Sequence, residues 1–397
     1  MLSNGMTVLY EKRPGNCVVV QVMVNVGSNN EKVEERGISH FLEHILFEGT
    51  PTRPTNHLIS NEIERVGGDF NAYTTSERTN FYVKVLAKHF ELAVAVLADI
   101  LQNPLFLPEA IEKEKKIVLK EMTRVDDEPR YHQWLLLQES LFSKHPCRFP
   151  THGSEKVIRG LTRETVEKYF KTHYTGANFT LAITGNVTSW EKVVTKHFVV
   201  AKGMKTGNVA VREPALTRSK VVRVNKKTVN TYIMIGFKTV PASHPDAYVL
   251  QVIDGILGRG QSGKMFSEIR TKRGLAYDVG TEHIAEKTYG YFAAYATIDK
   301  KNIDLAKKVM IDEMKHLESV TAQEVQEAQD YLEGDYLLDI EDPQKFADQL
   351  LFWEQVGSSH MLVEYVAKIK KVTVADVKRV VRKYFTHSVT ILIAGKK

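Results

Sequence analysis

The feature that most constrains the fold is an internal repeat that spans most of the chain. Tyr174 is followed eleven residues later by Gly185, at the end of an apolar run, and Tyr384 is followed eleven residues later by Gly395. The two copies lie 210 positions apart, and a helical pattern that opens at a threonine precedes each of them. A chain of 397 residues is also too long for one ordinary core. The sequence therefore predicts two similar domains.

The order of the predicted strands and helices indicates the fold class. In each half, strands occur in runs and helices are collected between them, which is typical of an α+β fold with a largely antiparallel sheet. We predict two structurally similar domains, each a mostly antiparallel sheet covered by helices. The predicted boundaries are 1–201 for an N-terminal domain, 202–220 for a polar linker and 221–397 for a homologous C-terminal domain.

Composition excludes several classes of protein. The 54 Lys and Arg against 48 Asp and Glu give a net charge of only +6, and the basic pairs are scattered, so nucleic-acid binding is not predicted. The most apolar stretches, 18–26 and 92–107, are too short for a membrane span or are broken by Asp99. Cys17 and Cys147 provide neither a disulfide framework nor metal-ligand spacing, which favours a reducing cytoplasm.

The strongest chemical signal is an H-x-x-E-H motif formed by His40, Glu43 and His44. On a helix, positions i and i+4 share a face, so both imidazoles can reach one Zn²⁺ at about 2.0–2.1 Å. Glu43 can then contact a zinc-bound water without binding the metal, as a general base must. The alternative is two core histidines that donate to backbone carbonyls. The motif is nevertheless surrounded by apolar residues, which predicts that its helix is buried and that its polar side chains need partners. The apolar residues are Ile38, Phe41, Leu42, Ile45 and Leu46.

A catalytic zinc site needs a third protein ligand. Residues 108–121 have a helical pattern that places Glu114 and Glu121 on one face, seven positions apart. The pattern alone does not select Glu121, because a charged helix usually presents its acids to solvent.

Several motifs follow H-x-x-E-H in a fixed order: Gly-Thr at 49–50, Gly-Gly at 67–68, Asn-Ala-Tyr-Thr at 71–74, and Glu121, which lies 77 residues after His44. This ordered set resembles the M16 (pitrilysin, or inverzincin) zinc metallopeptidases. The resemblance covers essentially the whole chain and is closest to short two-domain members similar to mitochondrial processing peptidase. It implies that Glu121 is the third ligand of one Zn²⁺ per chain and that Glu114 supports the ligands.

The resemblance also implies how substrate is bound in the first half. Asn71, Ala72, Tyr73 and Thr74 match an edge strand that pairs with an extended peptide through main-chain hydrogen bonds. Phe47 matches an aromatic side chain that lines the pocket beyond the scissile bond. The alternatives are an ordinary strand and a core phenylalanine.

In the second half, Arg270 and Tyr277 match a pair that contacts the substrate carbonyl in the family, where they would stabilise the developing oxyanion. The alternative is a surface arginine and a core tyrosine. The corresponding helical stretch, 244–258, has one histidine and no glutamate, so the metal site is not repeated. In the family the pair faces the zinc of another half-molecule across a chamber. The resemblance therefore implies a homodimer, or a heterodimer with a related subunit.

We therefore predict a zinc-dependent endopeptidase that hydrolyses unfolded peptides inside a dimeric chamber. The second hypothesis is a catalytically silent assembly or scaffolding subunit of the same family. Selection of basic presequences is not predicted, because Tyr131 and Leu135 stand where processing peptidases carry acids.

A nucleotide-binding loop is the third possibility that the sequence raises. Residues 258–264 match the first seven positions of a Walker A loop, but Met265 at the eighth position lacks the hydroxyl that holds Mg²⁺. The pattern before the loop is helical, whereas a Walker A loop follows a strand. A flexible Gly-rich turn is the favoured interpretation.

Overall fold

The computed structural model describes residues 1–207, 209 and 211–395; residues 208 and 210 of the predicted linker lie outside the described residues. Its strands are β1 Thr7–Glu11, β2 Cys17–Val24, β3 Asp69–Thr74, β4 Thr79–Leu86, β5 Phe179–Gly185, β6 Lys220–Lys226, β7 Thr231–Lys238, β8 Ala276–Ala285, β9 Gly290–Ile298 and β10 Val389–Gly395. Its α-helices are α1 Ile38–Ile45, α2 Asn56–Glu64, α3 Phe90–Gln102, α4 Pro108–Asp127, α5 Pro129–Leu141, α6 Glu155–Gly160, α7 Arg163–His173, α8 Trp190–His197, α9 Asp246–Gly258, α10 Ile303–His316, α11 Ala322–Asp339, α12 Pro343–Val356, α13 Met361–Lys370 and α14 Val374–Tyr384.

The two sheets have the same topology. The first has the strand order β1-β5-β2-β4-β3 and the second has the order β6-β10-β7-β9-β8, which is the same order with each strand replaced by its counterpart. In each sheet the outermost pair, β1 with β5 or β6 with β10, is parallel and the other three pairs are antiparallel. The predicted α+β class and the predicted duplication are confirmed.

The described residues form two compact units that are not contiguous in sequence. The first unit contains the described parts of 1–124, 149–209 and 339–359, and the second contains those of 125–148, 210–338 and 360–397. Each half of the chain therefore contributes one segment to the unit built mainly by the other half. The exchanged elements are α5, which packs on β7 and β10, and α12, which packs on β2 and β5.

The exchange explains why β2 is apolar at almost every position. A strand that is covered on both faces has no solvent side, so its sequence does not alternate. One face of β2 packs into the core that contains α1 and α3, and the other face packs on α12. The first face carries Val18, Val20, Val22 and Val24, and the second carries Val19 and Met23.

Polar contacts reinforce the packing of α12 on the first sheet. Gln21, which is fully buried in β2, donates through Nε2 to the Asp348 carboxylate of α12. Lys84 of β4 forms an ion pair with Asp342 at 2.9 Å, at the start of the same helix. These contacts fix α12 across β2 and β4, so the sheet is held from the face opposite α1.

In the second unit, a close approach fixes α5 against the sheet. A Cβ atom added to Gly236 of β7 would lie 2.5 Å from Leu137 Cδ1, so the strand needs glycine where α5 crosses it. Leu137 and Leu141 join Met234, Ile391 and other strand residues in one buried cluster. Among the described residues, no helix is long and apolar enough to span a bilayer.

Glu213, from the predicted linker, anchors the turn that follows α5. Its carboxylate accepts from the backbone N–H groups of Ser143, Lys144 and His145 at 2.7–2.8 Å and from Lys238 Nζ at 2.8 Å. Burial would raise the pKa of Glu213, but these hydrogen bonds outweigh it and lower the pKa to about 2. The linker carboxylate therefore holds the exchanged segment in the second unit.

We expect Glu213→Gln to lower the stability of the protein at pH 7 by about 1–2 kcal/mol, because an amide replaces a charged acceptor of several hydrogen bonds. A carboxyl whose folded pKa is depressed stabilises the fold above its unfolded pKa of about 4.3. The difference from wild type should therefore disappear as the pH falls from about 5 toward 2. Denaturation midpoints across this pH range test this, with Glu139→Gln on the exposed face of α5 as the control. A constant difference at all pH values would contradict it.

Candidate metal centre

Helix α1 carries the three polar residues of the H-x-x-E-H motif on one side. Apolar residues on its other sides pack into the first core. Ile38, Phe41, Leu42 and Ile45 are at most 1% exposed, so burial of their side chains fixes the helix in the first core. The rings of His40 and His44 lie one turn apart, with centroids separated by 4.8 Å and planes inclined at 71°. The motif is helical, as predicted.

Helix α4 brings a carboxylate oxygen to both imidazoles. Glu121 Oε2 lies 3.7 Å from His40 Nε2 and 3.4 Å from His44 Nε2. Two ligand atoms each about 2.0–2.1 Å from a tetrahedral Zn²⁺ are about 3.3–3.4 Å apart. The distances from Glu121 Oε2 to the two Nε2 atoms are therefore close to the separation of two ligand atoms on one zinc ion. Glu121 is half-buried, so part of its side chain is exposed to solvent.

Glu43 lies close enough to be considered as a ligand. One ligand atom from each of His40, Glu43 and His44 falls within 4.8 Å of the others, the only such group of His, Cys, Asp and Glu found in the described part of the chain. Its Oε2 accepts a hydrogen bond from Thr74 Oγ1 of β3. Glu121 fits the ligand position better, because one of its oxygens faces both Nε2 atoms.

Burial raises the pKa of Glu43 above its ordinary value, although the hydrogen bond from Thr74 and the charge of His44 oppose this. A carboxylate that is held beside the metal position and binds protons more readily is suited to accept one.

Glu114 orients His44 from behind. Its side chain is almost fully buried, and His44 Nδ1 lies 3.2 Å from Glu114 Oε2. A carboxylate only accepts, so we assign the proton to Nδ1, which directs the Nε2 lone pair toward Glu121. Lys113 Nζ lies 3.5 Å from Glu114 Oε1 and 2.7 Å from Glu48 Oε2, and so ties α4 to the segment after α1.

The surroundings of His40 favour the neutral form of its imidazole, which is the form that can bind a metal ion. Burial, together with the nearby charges of His44 and His152, lowers the pKa of His40 to about 3. Burial also acts to lower the pKa of His44, but the hydrogen bond to Glu114 and the charges of Glu121 and Glu43 raise it overall. His40 Nδ1 is buried and has no hydrogen-bond partner among the described residues. Two imidazoles and a carboxylate form the donor set that zinc accepts in hydrolytic sites.

The predicted substrate strand is β3, at the edge of the first sheet. Thr74 faces α1, where it contacts Glu43, whereas the Tyr73 hydroxyl faces the opposite side and donates to Asp348 of α12. The exposed side chain of Asn71 accepts from the Ala72 N–H at 2.9 Å. The side chain of Tyr73 is therefore already engaged by Asp348.

Phe47 lies just after α1 and is half-buried. Its ring centroid is 5.5 Å from that of Phe70 on β3 and 6.0 Å from that of Phe81 on β4. The side chain thus borders both the core and the region beside β3.

Arg270 and Tyr277 lie together in the second unit. Arg270 is in a π-helical turn, Phe266–Thr271, and its guanidinium carbon lies 5.2 Å from the Tyr277 ring centroid and 4.8 Å from that of Phe266. Tyr277 is 76% exposed, at a register shift near the start of edge strand β8. Both side chains are therefore exposed, and neither belongs to the core.

Several contributors to the site were not found by sequence reasoning. Lys113 and Glu48 lie among many charged residues that have no motif. Asp348 is 275 positions from Tyr73, and no local pattern links the two.

The Gly-rich stretch at 258–264, which partly matches a Walker A loop, follows α9 rather than a strand, and Lys264 forms an ion pair with Glu324 at 2.6 Å.

Comparisons with known proteins match most of the chain. The family described as insulinase (peptidase family M16) matches residues 7–154, and the one described as the peptidase M16 inactive domain matches residues 160–332. An uncharacterized zinc protease of Rickettsia felis is 34% identical over 340 residues, which are 85% of this chain and 82% of that protein. The uncharacterized zinc protease YmxG of Bacillus subtilis is 28% identical over 401 residues, covering 98% of this chain and 96% of YmxG.

Solved structures have the same fold. A protease from Helicobacter pylori superposes with a TM-score of 0.93 and 21% identity, over 99% of this chain and 98% of that one. A peptidase M16 inactive domain protein from Pseudomonas fluorescens gives a TM-score of 0.87 at 18% identity, over 100% and 97% of the two chains.

Removal of single carboxylates tests the ligand set. We expect the wild-type protein to bind one Zn²⁺ per chain, Glu114→Gln to weaken binding by about 10- to 100-fold, and Glu121→Gln to weaken it more, since a ligand is lost rather than its support. Competition with a chromogenic chelator measures these affinities. The control is Glu109→Gln, an exposed acid on the same helix. Equal zinc affinities of Glu121→Gln and Glu109→Gln would contradict the assignment.

Proposed function

The chain belongs to the M16 family of peptidases, and from this we propose that it is a zinc-dependent endopeptidase that hydrolyses unfolded peptides. The observation that carries the proposal is the position of Glu121 Oε2 within 3.4 and 3.7 Å of the two imidazole Nε2 atoms. His40, His44 and Glu121 would hold the ion. When bound, zinc lowers the pKa of its water toward about 7 and polarises the scissile carbonyl.

The residues of this chain then move one proton. Glu43 accepts it from the attacking water through a carboxylate oxygen and delivers it to the nitrogen of the leaving amine. Burial raises the pKa of Glu43 above its ordinary value, which favours its acceptance of the proton. Thr74 donates to the same carboxylate and so orients it. Glu114 keeps the proton on His44 Nδ1 and leaves Nε2 free to bind the metal.

An unfolded peptide is the substrate class that the edge strand supports. β3 has a neighbour on one side only, so its outer backbone groups can pair with an added extended strand. Main-chain pairing needs a substrate whose own backbone is unpaired, which a folded protein does not offer. Thr74 connects this strand directly to Glu43, so a peptide on β3 lies beside the proposed base.

We propose a homodimer in which Arg270 and Tyr277 of one protomer serve the zinc site of the other. The two exposed side chains are already stacked, and the pair presents a charge and a hydroxyl to a developing oxyanion. A heterodimer with a related subunit would supply the same groups. An inactive assembly subunit is less well supported, because such a subunit has no need for the base, the ligands and the buried Glu114.

We expect Glu43→Gln to reduce peptide hydrolysis by at least about 10²- to 10⁴-fold while zinc binding stays within a few-fold of wild type, because the base is not a ligand. Rates on a mixed peptide library and the zinc content measured on the same sample test both parts. A chelator should abolish wild-type activity, and added zinc should restore it. Full activity in Glu43→Gln would refute the base, and loss of zinc would make Glu43 a ligand.

The dimer is tested by mixing two inactive variants. In Arg270→Ala the zinc site is intact, and in Glu43→Gln the Arg and Tyr pair is intact. If the pair acts on the partner's zinc, half of the randomly mixed dimers carry one complete site, so about a quarter of wild-type activity should return after subunit exchange. No recovery, with exchange verified by native mass spectrometry, would place the pair and the zinc in the same protomer or exclude the pair from catalysis.

A further inference from the structure

Glu31 is a buried acid that the proposed chemistry does not use. It lies between β2 and α1 and is 4% exposed. Its two oxygens accept from different backbone groups at the start of α1: Oε2 from the Gly37 N–H and Oε1 from the Ser39 N–H, both at 2.8 Å. One carboxylate thus spans the first turn of the helix that carries both histidines.

Helix α1 has no capping side chain of its own. The residue at its N-cap is Gly37, whose φ of +98° is left-handed and which has no side chain to accept from the first turn. The first N–H groups of a helix have no partner within the helix and are usually satisfied by a side chain at the cap. Glu31 supplies this acceptor from six residues upstream, and in its ionised form its charge also faces the positive end of the helix dipole.

Two further contacts hold the same turn. Ser39 Oγ lies 3.0 Å from the hydroxyl of the buried Tyr169 on α7. A Cβ atom added to Gly37 would lie 2.5 Å from the carbonyl oxygen of His152, so the start of α1 is packed directly on that backbone. The turn is therefore fixed in position by several neighbours, and Glu31 provides two of the hydrogen bonds.

The turn is adjacent to the first metal ligand. Ser39 immediately precedes His40, and α1 is only eight residues long. A tilt at its N-terminus would move His40 relative to His44 and Glu121, whereas metal sites tolerate ligand displacements of only a few tenths of an ångström.

We propose that Glu31 is a positioning residue that sets the metal geometry by fixing the N-terminus of α1; this inference rests on the proposed zinc site. It acts through Gly37 and Ser39 and contacts neither substrate nor metal. The consequence is that zinc affinity depends on a side chain that lies outside the H-x-x-E-H motif and outside α4.

Glu31→Gln separates this role from a general contribution to stability. The amide has the same shape, but only its oxygen can accept, so one of the two bonds to the turn is lost. Burial raises the pKa of Glu31 to about 7, although the N–H groups of Gly37 and Ser39 and the charge of Arg36 oppose this. A neutral side chain is therefore less costly to bury there, and the fold should tolerate the change.

The experiment compares Glu31→Gln with Glu35→Gln, the same substitution on the same segment. Glu35 Oε2 accepts from the Lys32 N–H at 3.2 Å, so its carboxylate caps its own turn rather than α1. We expect Glu31→Gln to raise the zinc dissociation constant about 10-fold or more, to change the visible spectrum of the Co²⁺-substituted protein, and to lower kcat more than it raises KM. The thermal midpoints of the two metal-free variants should be similar.

A zinc affinity and a Co²⁺ spectrum that match those of Glu35→Gln would overturn the proposal. If Glu31→Gln does not fold, Tyr169→Phe removes a single hydrogen bond from the same turn and should weaken zinc binding about 2- to 10-fold; an unchanged affinity would overturn the proposal equally. A wild-type protein that binds zinc but cleaves no peptide would refute the proposed function, and weaker binding in Glu31→Gln would still support the role of Glu31. A wild-type protein that binds no zinc would refute both.

Discussion

The contact between α1 and α4 is the interaction on which the rest of the site depends. A single oxygen of Glu121 meets two imidazoles that a helical turn has already placed side by side. Neither helix reaches this position alone: α1 is held by its apolar faces in the first core, and α4 is tied to it through Lys113 and Glu48. The charged groups converge because burial of apolar side chains elsewhere on both helices stabilises the arrangement.

The two faces of the first sheet have different tasks. One face carries α1 and the side chains of the proposed metal site, and Thr74 of β3 reaches toward it. The other face is covered by α12, whose Asp348 holds Tyr73 of the same strand. Alternate side chains of β3 are therefore fixed from opposite sides, which keeps the strand in place while its outer backbone edge stays available.

The duplication could be predicted because two equivalent folds need equivalent apolar patterns, and Tyr174 and Tyr384 mark the same place in each. The histidine pair was predictable from helical spacing. Glu121 was not separable from the other acids of its helix without the family resemblance, because a side chain that meets the histidines from another helix leaves no periodic signal near them in the sequence. The contacts of Glu31 and Asp348 could not be predicted either. Asp348 contacts a residue that is distant in sequence, and Glu31 accepts from backbone groups through a spacing that matches no known motif. The exchange of α5 and α12 could not be inferred, because the sequence of an amphipathic helix shows that one face is buried but not against which sheet it packs.

The exchange has a consequence for synthesis on the ribosome. The last strand of the first sheet to be synthesised is β5, yet Val19 and Met23 on one face of that sheet are covered by α12, Pro343–Val356, which follows much later in the chain. An apolar surface on the nascent N-terminal half therefore stays exposed to water while about 160 to 170 further residues are added, from the end of β5 to α12, at roughly 5–20 residues per second. The first half of the sequence is therefore not a complete folding unit by itself, because the core on this face of the first sheet closes only after α12 has emerged.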